Sequence, residues 1–484
     1  MNSAPTMARS AGRNVRWVAV GQAGRIGLQV LTLLLLSRLL PPADFGLVAL
    51  VTAVCNFALL WRDLGTATAL VREAELRDAM VNTVFWLNAA IGFVVAAVVW
   101  LAREPLAAAL GDARVAPLLA VVACSFPLQG LGAAQQALLE RAGRFRALAV
   151  IEIAAGALGL GIAVAGGLAG WGALSLVLQT VATAGVATVL LWWRSGWRPS
   201  GGWQAGELRA LVPFSGHLTA FNLVNYVTRN ADSLIIGRTL GAGVLGAYSL
   251  AMRVTLFPVQ NLTWAASRAL LPVMNRPGQA AGELAALYRR SLALIALLSA
   301  PLMAGLFALR EDFVAVVLGP QWPLAAALLA WLAPVGFVQS IVSTVGPVFL
   351  ARGRSDILLR MGMVSLVVIV GALLVGVRFG PLAVAAAYLV ANLLQALPFL
   401  LLALRQLGLG PAVLARALAA PAAGAVALLA VIGGVQALGL LGAWPALPRL
   451  LLLSVAGALA YACVVWVAGR ETCIDTLKLL RLRP

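Results

Sequence analysis

The sequence predicts an all-α, polytopic membrane protein with about fourteen transmembrane helices. Of its 484 residues, 62% are hydrophobic and only 11% are charged, and the mean hydropathy is +0.97. A soluble protein carries about 25% charged residues, so this chain has too few to cover a water-facing surface. Long apolar segments recur along the chain, and basic residues fall between them in a regular alternation. This composition argues against a soluble enzyme and against a disulfide-rich scaffold.

The apolar segments are long enough to cross a bilayer. A transmembrane helix needs about 20 mainly apolar residues, and fourteen windows of the sequence meet that requirement. Prolines fall in several of the short connections, as expected where helices must stop. The predicted spans are 17–40, 44–62, 82–101, 115–138, 148–167, 171–193, 210–236, 243–267, 290–309, 323–350, 358–377, 381–404, 413–436 and 449–468.

The basic residues predict the orientation of these spans. Lysine and arginine collect in cytoplasmic loops. With the N-terminus inside, the inner segments hold 25 of the 35 basic residues, the outer loops hold seven, and three lie within spans. An error of one span would scramble this alternation, so the sequence predicts that both termini are cytoplasmic. The arginines are scattered singly rather than gathered in a basic tract, which argues against nucleic acid as a partner.

The chain contains an internal repeat. The segment SRLLPPADFG at 37–46 matches GRTLGAGVLG at 237–246, at an offset of 200 residues and without a gap. A glycine–arginine dipeptide at 143–144 matches another at 353–354, at an offset of 210. The repeat predicts two homologous six-helix lobes followed by two further helices. Because six spans separate the lobes, both begin on the same side, and transporters with such parallel repeats bind substrate where the two halves meet.

The predicted division of the chain follows the repeat. Residues 1–205 form an N-terminal lobe, residues 206–408 form a C-terminal lobe, and residues 409–484 hold the last two spans and a cytoplasmic tail. Within that tail, apolar and basic residues alternate over 471–484, which predicts an amphipathic helix on the inner leaflet.

Polar residues fall on one face of the first predicted span and on the matching face of the seventh. An arginine at mid-bilayer costs at least about 2.5–3.5 kcal/mol, so such residues normally face a partner or a watery cavity. Both sets have the spacing three, four, three, and the eighth span adds Arg253. The sets are Gln22, Arg25, Gln29 and Thr32 in the first span and Asn222, Asn225, Arg229 and Asp232 in the seventh. Matching faces predict one central cavity lined by positive charge and amides.

Each of these charged residues also has a structural interpretation, and both interpretations stay open at this point. Arg229 can pair with Asp232 one turn away. Arg25 can extend its side chain to the inner interface. Arg253 has no acidic residue nearby in sequence, but a partner elsewhere in the fold would make it structural. His217, the single histidine, fits an interfacial residue better than a proton relay.

The charge balance of the predicted cavity favours an anionic substrate. Three arginines face one acid, and guanidinium groups suit phosphate oxygens because they bind them bidentately. An exporter of cationic drugs is expected to show the reverse balance. Glu152 lies near an inner helix end, where we expect it to pair with the arginine cluster 141–146. Four scattered cysteines and one histidine predict no metal site.

Two parts of the repeat resemble a known family. The segment RLLPPADFG at 38–46 and the segment RNADSLIIGR at 229–238 are similar to those of Wzx-type polysaccharide and lipopolysaccharide biosynthesis transporters. LGAYSLA at 245–251, followed by Arg253 and Pro258, adds to this resemblance. It indicates the colanic-acid-exporter-like branch of the multidrug/oligosaccharidyl-lipid/polysaccharide exporter superfamily.

The resemblance implies a flippase rather than an enzyme. Members export undecaprenyl-diphosphate-linked oligosaccharides, which are precursors of exopolysaccharide, capsule or O-antigen, across the bacterial inner membrane. We therefore expect alternating access, partners in the membrane lipids and the polysaccharide polymerase or export machinery, and coupling to H+ or Na+ with no bound cofactor. In this hypothesis Arg25, Arg229 and Arg253 hold the diphosphate or acidic sugars. Asp232 is the ion-coupling candidate, and the amides that contact glycan hydroxyls are Gln22, Gln29, Asn222 and Asn225.

Two other functions remain open from the sequence. An ion-coupled multidrug or small-molecule exporter has the same fold and would change the sensitivity of cells to cationic toxins. A membrane-embedded glycan polymerase or transferase would carry catalytic residues in a sizeable outer loop. The outer loops here are short, which disfavours that enzyme.

Overall fold

The computed structural model describes residues 4–62, 70, 77–204, 216–274 and 281–468. Almost all of the described chain is helical, as the sequence predicts. The helices are α1 Ala4–Leu39, α2 Pro42–Arg62, α3 Asp78–Leu101, α4 Arg103–Leu110, α5 Val115–Ala123, α6 Ser125–Arg141, α7 Phe145–Leu168, α8 Ala173–Ser195, α9 Gly216–Met274, α10 Ala281–Ala308, α11 Arg310–Phe313, α12 Pro323–Val342, α13 Val345–Ala351, α14 Ser355–Gly376, α15 Pro381–Gln406, α16 Ala412–Ala437 and α17 Ala446–Ala468. The amphipathic tail predicted at 471–484 lies outside the described residues.

Within the described ranges, thirteen helical spans are long and apolar enough to cross a membrane. One of them, 226–260, is 35 residues long, or about 52 Å, which exceeds the ~30 Å hydrocarbon core. It contains Gly241 at φ 83° and ψ 170°, where the helix breaks, and glycine alone adopts this conformation readily. Divided there, the thirteen spans supply the fourteen predicted crossings. The connection predicted at 237–242 is confirmed in position but is shorter than predicted, because helix borders Gly241 on both sides.

The described chain forms two compact units. The first unit consists of Met1–Tyr226 together with Gly241–Gly246, and the second consists of Val227–Leu240 together with Ala247–Pro484. The break at Gly241 lies 200 residues after Pro41, which separates α1 from α2. The predicted repeat therefore places its first helix break at the same position in both halves.

Within the first unit, α2 packs against the segment 241–246 through two equivalent glycines. A Cβ atom added at Gly46 would lie 1.8 Å from the carbonyl oxygen of Ala242. A Cβ atom added at Gly246 would lie 1.7 Å from the carbonyl oxygen of Pro42. Both contacts are to backbone, so neither position accepts a side chain without a shift of the chain. The offset of 200 thus relates both the glycines and the carbonyls that they approach.

In the second unit, an ion pair with a buried carboxylate joins the last helix, α17, to α11. Arg449 Nε lies 3.0 Å from both carboxylate oxygens of Asp312, and Arg449 Nη2 bonds to Asp312 Oδ1 as well. The Asp312 side chain is only 6% exposed. Tyr461 of α17 donates to the Leu297 carbonyl at 2.8 Å. A cavity of about 360 Å³ beside the ion pair is lined in part by Arg449 and Asp312.

Candidate functional site

In the first unit, α1 and α7 approach closely because small residues lie at their contact. A Cβ atom added at Gly21 would lie 3.2 Å from the Cβ of Ala149. This short distance brings the guanidinium of Arg25 to the carboxylate of Glu152, with 2.8 Å between Nη2 and Oε2. The side chains of the pair are 54% and 43% exposed, respectively. Charged groups with that exposure inside a span must face water or a ligand rather than acyl chains.

The structure corrects the expected partner of Glu152. The prediction that it pairs with the arginine cluster 141–146 is wrong, because its partner is Arg25, 127 residues away in sequence. The arginines of the cluster are engaged elsewhere: Arg141 donates to the Leu70 carbonyl, Arg144 donates to the Arg194 carbonyl, and Arg146 lies over the Trp17 ring. Arg25 itself lies nine residues, or about 14 Å, after the start of its span at Arg16.

The other polar residues of the predicted α1 face lie beside this pair. Gln29 is exposed, and Gln22 is half-buried. Thr32 lies 3.5 Å from Gln179 Nε2 of α8, a distance at the limit of a hydrogen bond. The first unit therefore has a strip of amides around one ion pair along α1.

In the second unit, Arg229 and Asp232 do not form the ion pair that their spacing left open. Among the described residues, no carboxylate lies within 4 Å of the Arg229 or the Arg253 guanidinium. Both arginines are exposed, whereas Asp232 is 8% exposed. Asp232 Oδ1 accepts from the Ser233 N–H at 2.6 Å and from the Ser233 hydroxyl at 3.3 Å. Arg229 and Asp232 thus occupy different environments.

A buried polar cluster surrounds Asp232. The Tyr248 hydroxyl is buried and has no hydrogen-bond partner within the described residues, and both it and Tyr388 of α15 lie within electrostatic range of the Asp232 carboxylate. Gln339 of α12 donates from Nε2 to the Tyr388 hydroxyl at 3.0 Å and to Asn392 Oδ1 at 3.2 Å. These groups come from α12, from α15 and from α9 on both sides of its break at Gly241. The second unit therefore places hydroxyl and amide groups at the Asp232 carboxylate or in its immediate neighbourhood.

Several site residues are missing from the sequence prediction, and two predicted ones, Asn222 and Asn225, remain untested by the geometry. Both lie on α9, as does His217, which we expect to be interfacial, but the side chains of all three are outside the described part of the structure. The sequence prediction lacks Tyr248, Tyr388, Gln339 and Asn392, because no local spacing links them to Asp232. The position of Glu152 in the sequence could have indicated a partner on another helix, because an acidic residue inside an apolar span needs a partner.

Comparison of the sequence with known proteins gives both a family and relatives. The family of polysaccharide biosynthesis proteins matches residues 35–327. The chain is 31% identical over 379 residues to the succinoglycan biosynthesis transport protein ExoT of Rhizobium meliloti (strain 1021), covering 78% of this chain and 77% of that protein. It is 25% identical over 363 residues to the lipopolysaccharide biosynthesis protein WzxC of Escherichia coli (strain K12), covering 75% and 74%.

Two solved structures are similar to this fold. The inward closed conformation of the lipid II flippase MurJ superposes with a TM-score of 0.71 at 13% identity, covering 94% of this chain and 99% of that chain. An inward-facing multidrug resistance MATE family transporter of the MOP superfamily superposes with a TM-score of 0.57 at 16% identity, covering 82% and 98%. Both likenesses confirm the predicted fold class.

Proposed function

This chain belongs to the polysaccharide biosynthesis protein family as a Wzx-type transporter of the MOP superfamily, and we propose that it flips a lipid-linked oligosaccharide. The substrate class is an undecaprenyl-diphosphate-linked unit of an exopolysaccharide, a capsule or an O-antigen. The proposed route runs from the cytoplasmic to the periplasmic leaflet of a bacterial inner membrane, by alternating access. Polysaccharide polymerase or export machinery would take up the product.

The observation that carries this proposal is the pair of exposed arginines in the second unit. Arg229 and Arg253 lie within a membrane span, and within the described chain neither has a carboxylate partner. An arginine in a span needs a compensating anion or water. A diphosphate supplies that anion, because each guanidinium can bind phosphate oxygens through two parallel hydrogen bonds.

The remaining site residues are assigned by their chemistry. Arg25 of the first unit is the third proposed diphosphate ligand. The amides of Gln22, Gln29, Asn222 and Asn225 donate to and accept from glycan hydroxyls. The lipid tail stays in the bilayer throughout, so the site needs to shield only the polar head group from acyl chains.

Asp232 is the proposed coupling residue. Its carboxylate is buried, and no ion pair to it is found in the described part of the chain. A buried carboxylate without a cationic side chain must hold either a proton or a bound cation. The nearby Tyr248 and Tyr388 hydroxyls provide oxygen atoms that suit either one. We therefore propose that H+ or Na+ binding at Asp232 drives the change of access.

The test replaces Arg229 and Arg253 by glutamine in cells that carry the chain as their sole copy. We expect lipid-linked oligosaccharide to accumulate on the cytoplasmic side, as measured by mass spectrometry of extracted lipids, at wild-type abundance of the protein in the membrane. Arg378→Gln is the matched control, because Arg378 is also exposed but lies in the last turn of the span 356–379, at its end. Wild-type export by the double variant would overturn the proposal.

The alternative function is ion-coupled export of small molecules, which the fold similarity to a MATE transporter favours. It predicts that deletion changes sensitivity to cationic toxins and leaves the lipid-linked glycan pool unchanged. The exposed positive charges of Arg229 and Arg253 disfavour cationic substrates, so the flippase is the better supported function.

A further inference from the structure

We infer that Glu152 is a positioning residue, which holds Arg25 while the site is empty and releases it to the diphosphate of the substrate. This inference rests on the proposed function and adds a residue to it. In the empty site, the ion pair neutralises a guanidinium that would otherwise be unpaired within a membrane span. In the loaded site, the phosphate oxygens take the place of the carboxylate.

The geometry of the pair leaves Arg25 available to a ligand. A single hydrogen bond, from Nη2 to Glu152 Oε2, joins the two side chains. Within the described residues no other hydrogen bond of this guanidinium is found, although an arginine has five N–H donors. A phosphate can therefore begin to bind at the open edge of Arg25 before the carboxylate leaves.

A second ion pair, Arg449–Asp312, has the geometry expected of a permanent contact. Arg449 engages both carboxylate oxygens of Asp312, and the Asp312 side chain is 6% exposed. The Glu152 side chain is 43% exposed and, among the residues that the structure describes, makes one hydrogen bond. Exposed single contacts are weak, whereas bidentate contacts to a charged group are strong. The Arg25–Glu152 pair is therefore weak enough for a ligand to replace the carboxylate, whereas the Arg449–Asp312 pair is strong enough to hold two helices together.

Exchange also provides a way to release the product. If Arg25 had no competing carboxylate, the diphosphate would remain bound in either orientation of the transporter. When Glu152 returns to Arg25, it competes with the phosphate for the same N–H groups and so promotes release. Removal of this carboxylate should consequently make substrate binding tighter and transport slower, a combination that a simple stabilising contact does not produce.

The experiment compares Glu152→Gln with the wild type in proteoliposomes, with undecaprenyl diphosphate as the binding probe and a short lipid-linked oligosaccharide for flipping. We expect about fivefold tighter binding, together with a lower kcat and a lower KM for flipping. Undecaprenol, which lacks the diphosphate, should show no change. Glu152→Asp should return both parameters towards the wild type because it keeps the carboxylate.

The matched control is Asp356→Asn. Arg354 and Asp356 form a pair of the same kind, with 2.9 Å between Nε and Oδ1 and side chains 49% and 47% exposed. Because this pair lies where a span begins, outside the proposed site, the control should bind and flip as the wild type does.

Three outcomes would overturn the inference. Unchanged or weaker binding of undecaprenyl diphosphate by Glu152→Gln would show that the carboxylate does not compete with phosphate. A lower abundance of this variant in the membrane would identify the pair as a structural contact. If the wild type itself failed to bind undecaprenyl diphosphate, the proposed function would fail first, and the inference with it.

Discussion

The matching faces of α1 and α9 have the same spacing of polar residues, but their charged side chains differ in partner and in exposure. On α1 the arginine is paired with a carboxylate from another helix, and both groups are about half exposed. On α9 the arginine is exposed, while the carboxylate one turn away is buried in a polar cluster. The two halves of the repeat thus share a fold but differ in the position of their acidic residue, which is Glu152 on α7 in one half and Asp232 on α9 in the other. This difference suits one half to exchanging a ligand and the other to holding an ion.

The strongest test of the part that both halves share concerns the glycine contacts of α2. Gly46→Ala and Gly246→Ala should each lower stability by about 3 kcal/mol, because the new Cβ would meet the carbonyl of Ala242 or Pro42. Thermal unfolding in detergent measures the loss. Gly243→Ala is the control, since a Cβ there meets no atom within 4 Å. Equal losses at both sites would sharpen the view that the repeat is symmetric here, and a stable Gly46→Ala protein would contradict it.

The next largest effect should separate the two kinds of ion pair. Asp312→Asn leaves Arg449 without its buried partner and should cost about 2–3 kcal/mol, less than for a fully buried pair because Arg449 is 29% exposed. Glu152→Gln should cost under about 1 kcal/mol. Thermal unfolding of both variants measures the contrast. Similar losses of stability in the two variants would contradict the view that the Arg449–Asp312 pair holds helices together while the Arg25–Glu152 pair can be replaced by a ligand.

The smallest of the three effects concerns the buried carboxylate and is kinetic. Asp232→Asn removes the charge that would bind H+ or Na+, and we expect flipping driven by an ion gradient to fall on the order of tenfold. Thr32→Val, at the matching position of α1, should change the rate by less than about twofold, because its contact with Gln179 is long. Gradient-driven flipping assays on both variants give the comparison. Full coupling in Asp232→Asn would contradict the assignment of the ion to the second unit.

Much of the fold is predictable from the sequence because hydropathy is a local property. Each crossing contains its own apolar window, and the main correction, at Gly241, concerns a single residue. A glycine between two apolar helices looks like part of a loop in the sequence, yet a one-residue break is enough when φ is positive.

The candidate site is less predictable because its contacts join distant helices. The spacing of Gln22, Arg25 and Gln29 shows which face of α1 is polar, but the partner of Arg25 lies 127 residues later on α7. The hypothesis of an Arg229–Asp232 pair was reasonable from their spacing of one turn. It failed because neighbours on one helix can point into different environments.

By itself, the sequence determined the number of crossings, the repeat and the faces that carry charge, since these depend on composition and on the helical period. The tertiary structure decided the partners. Close packing at Gly21 joins Arg25 to Glu152, and burial separates Asp232 from Arg229. The physical reason is that lateral contacts between helices depend on shape at specific positions of two segments. The periodicity of one segment contains no information about the other.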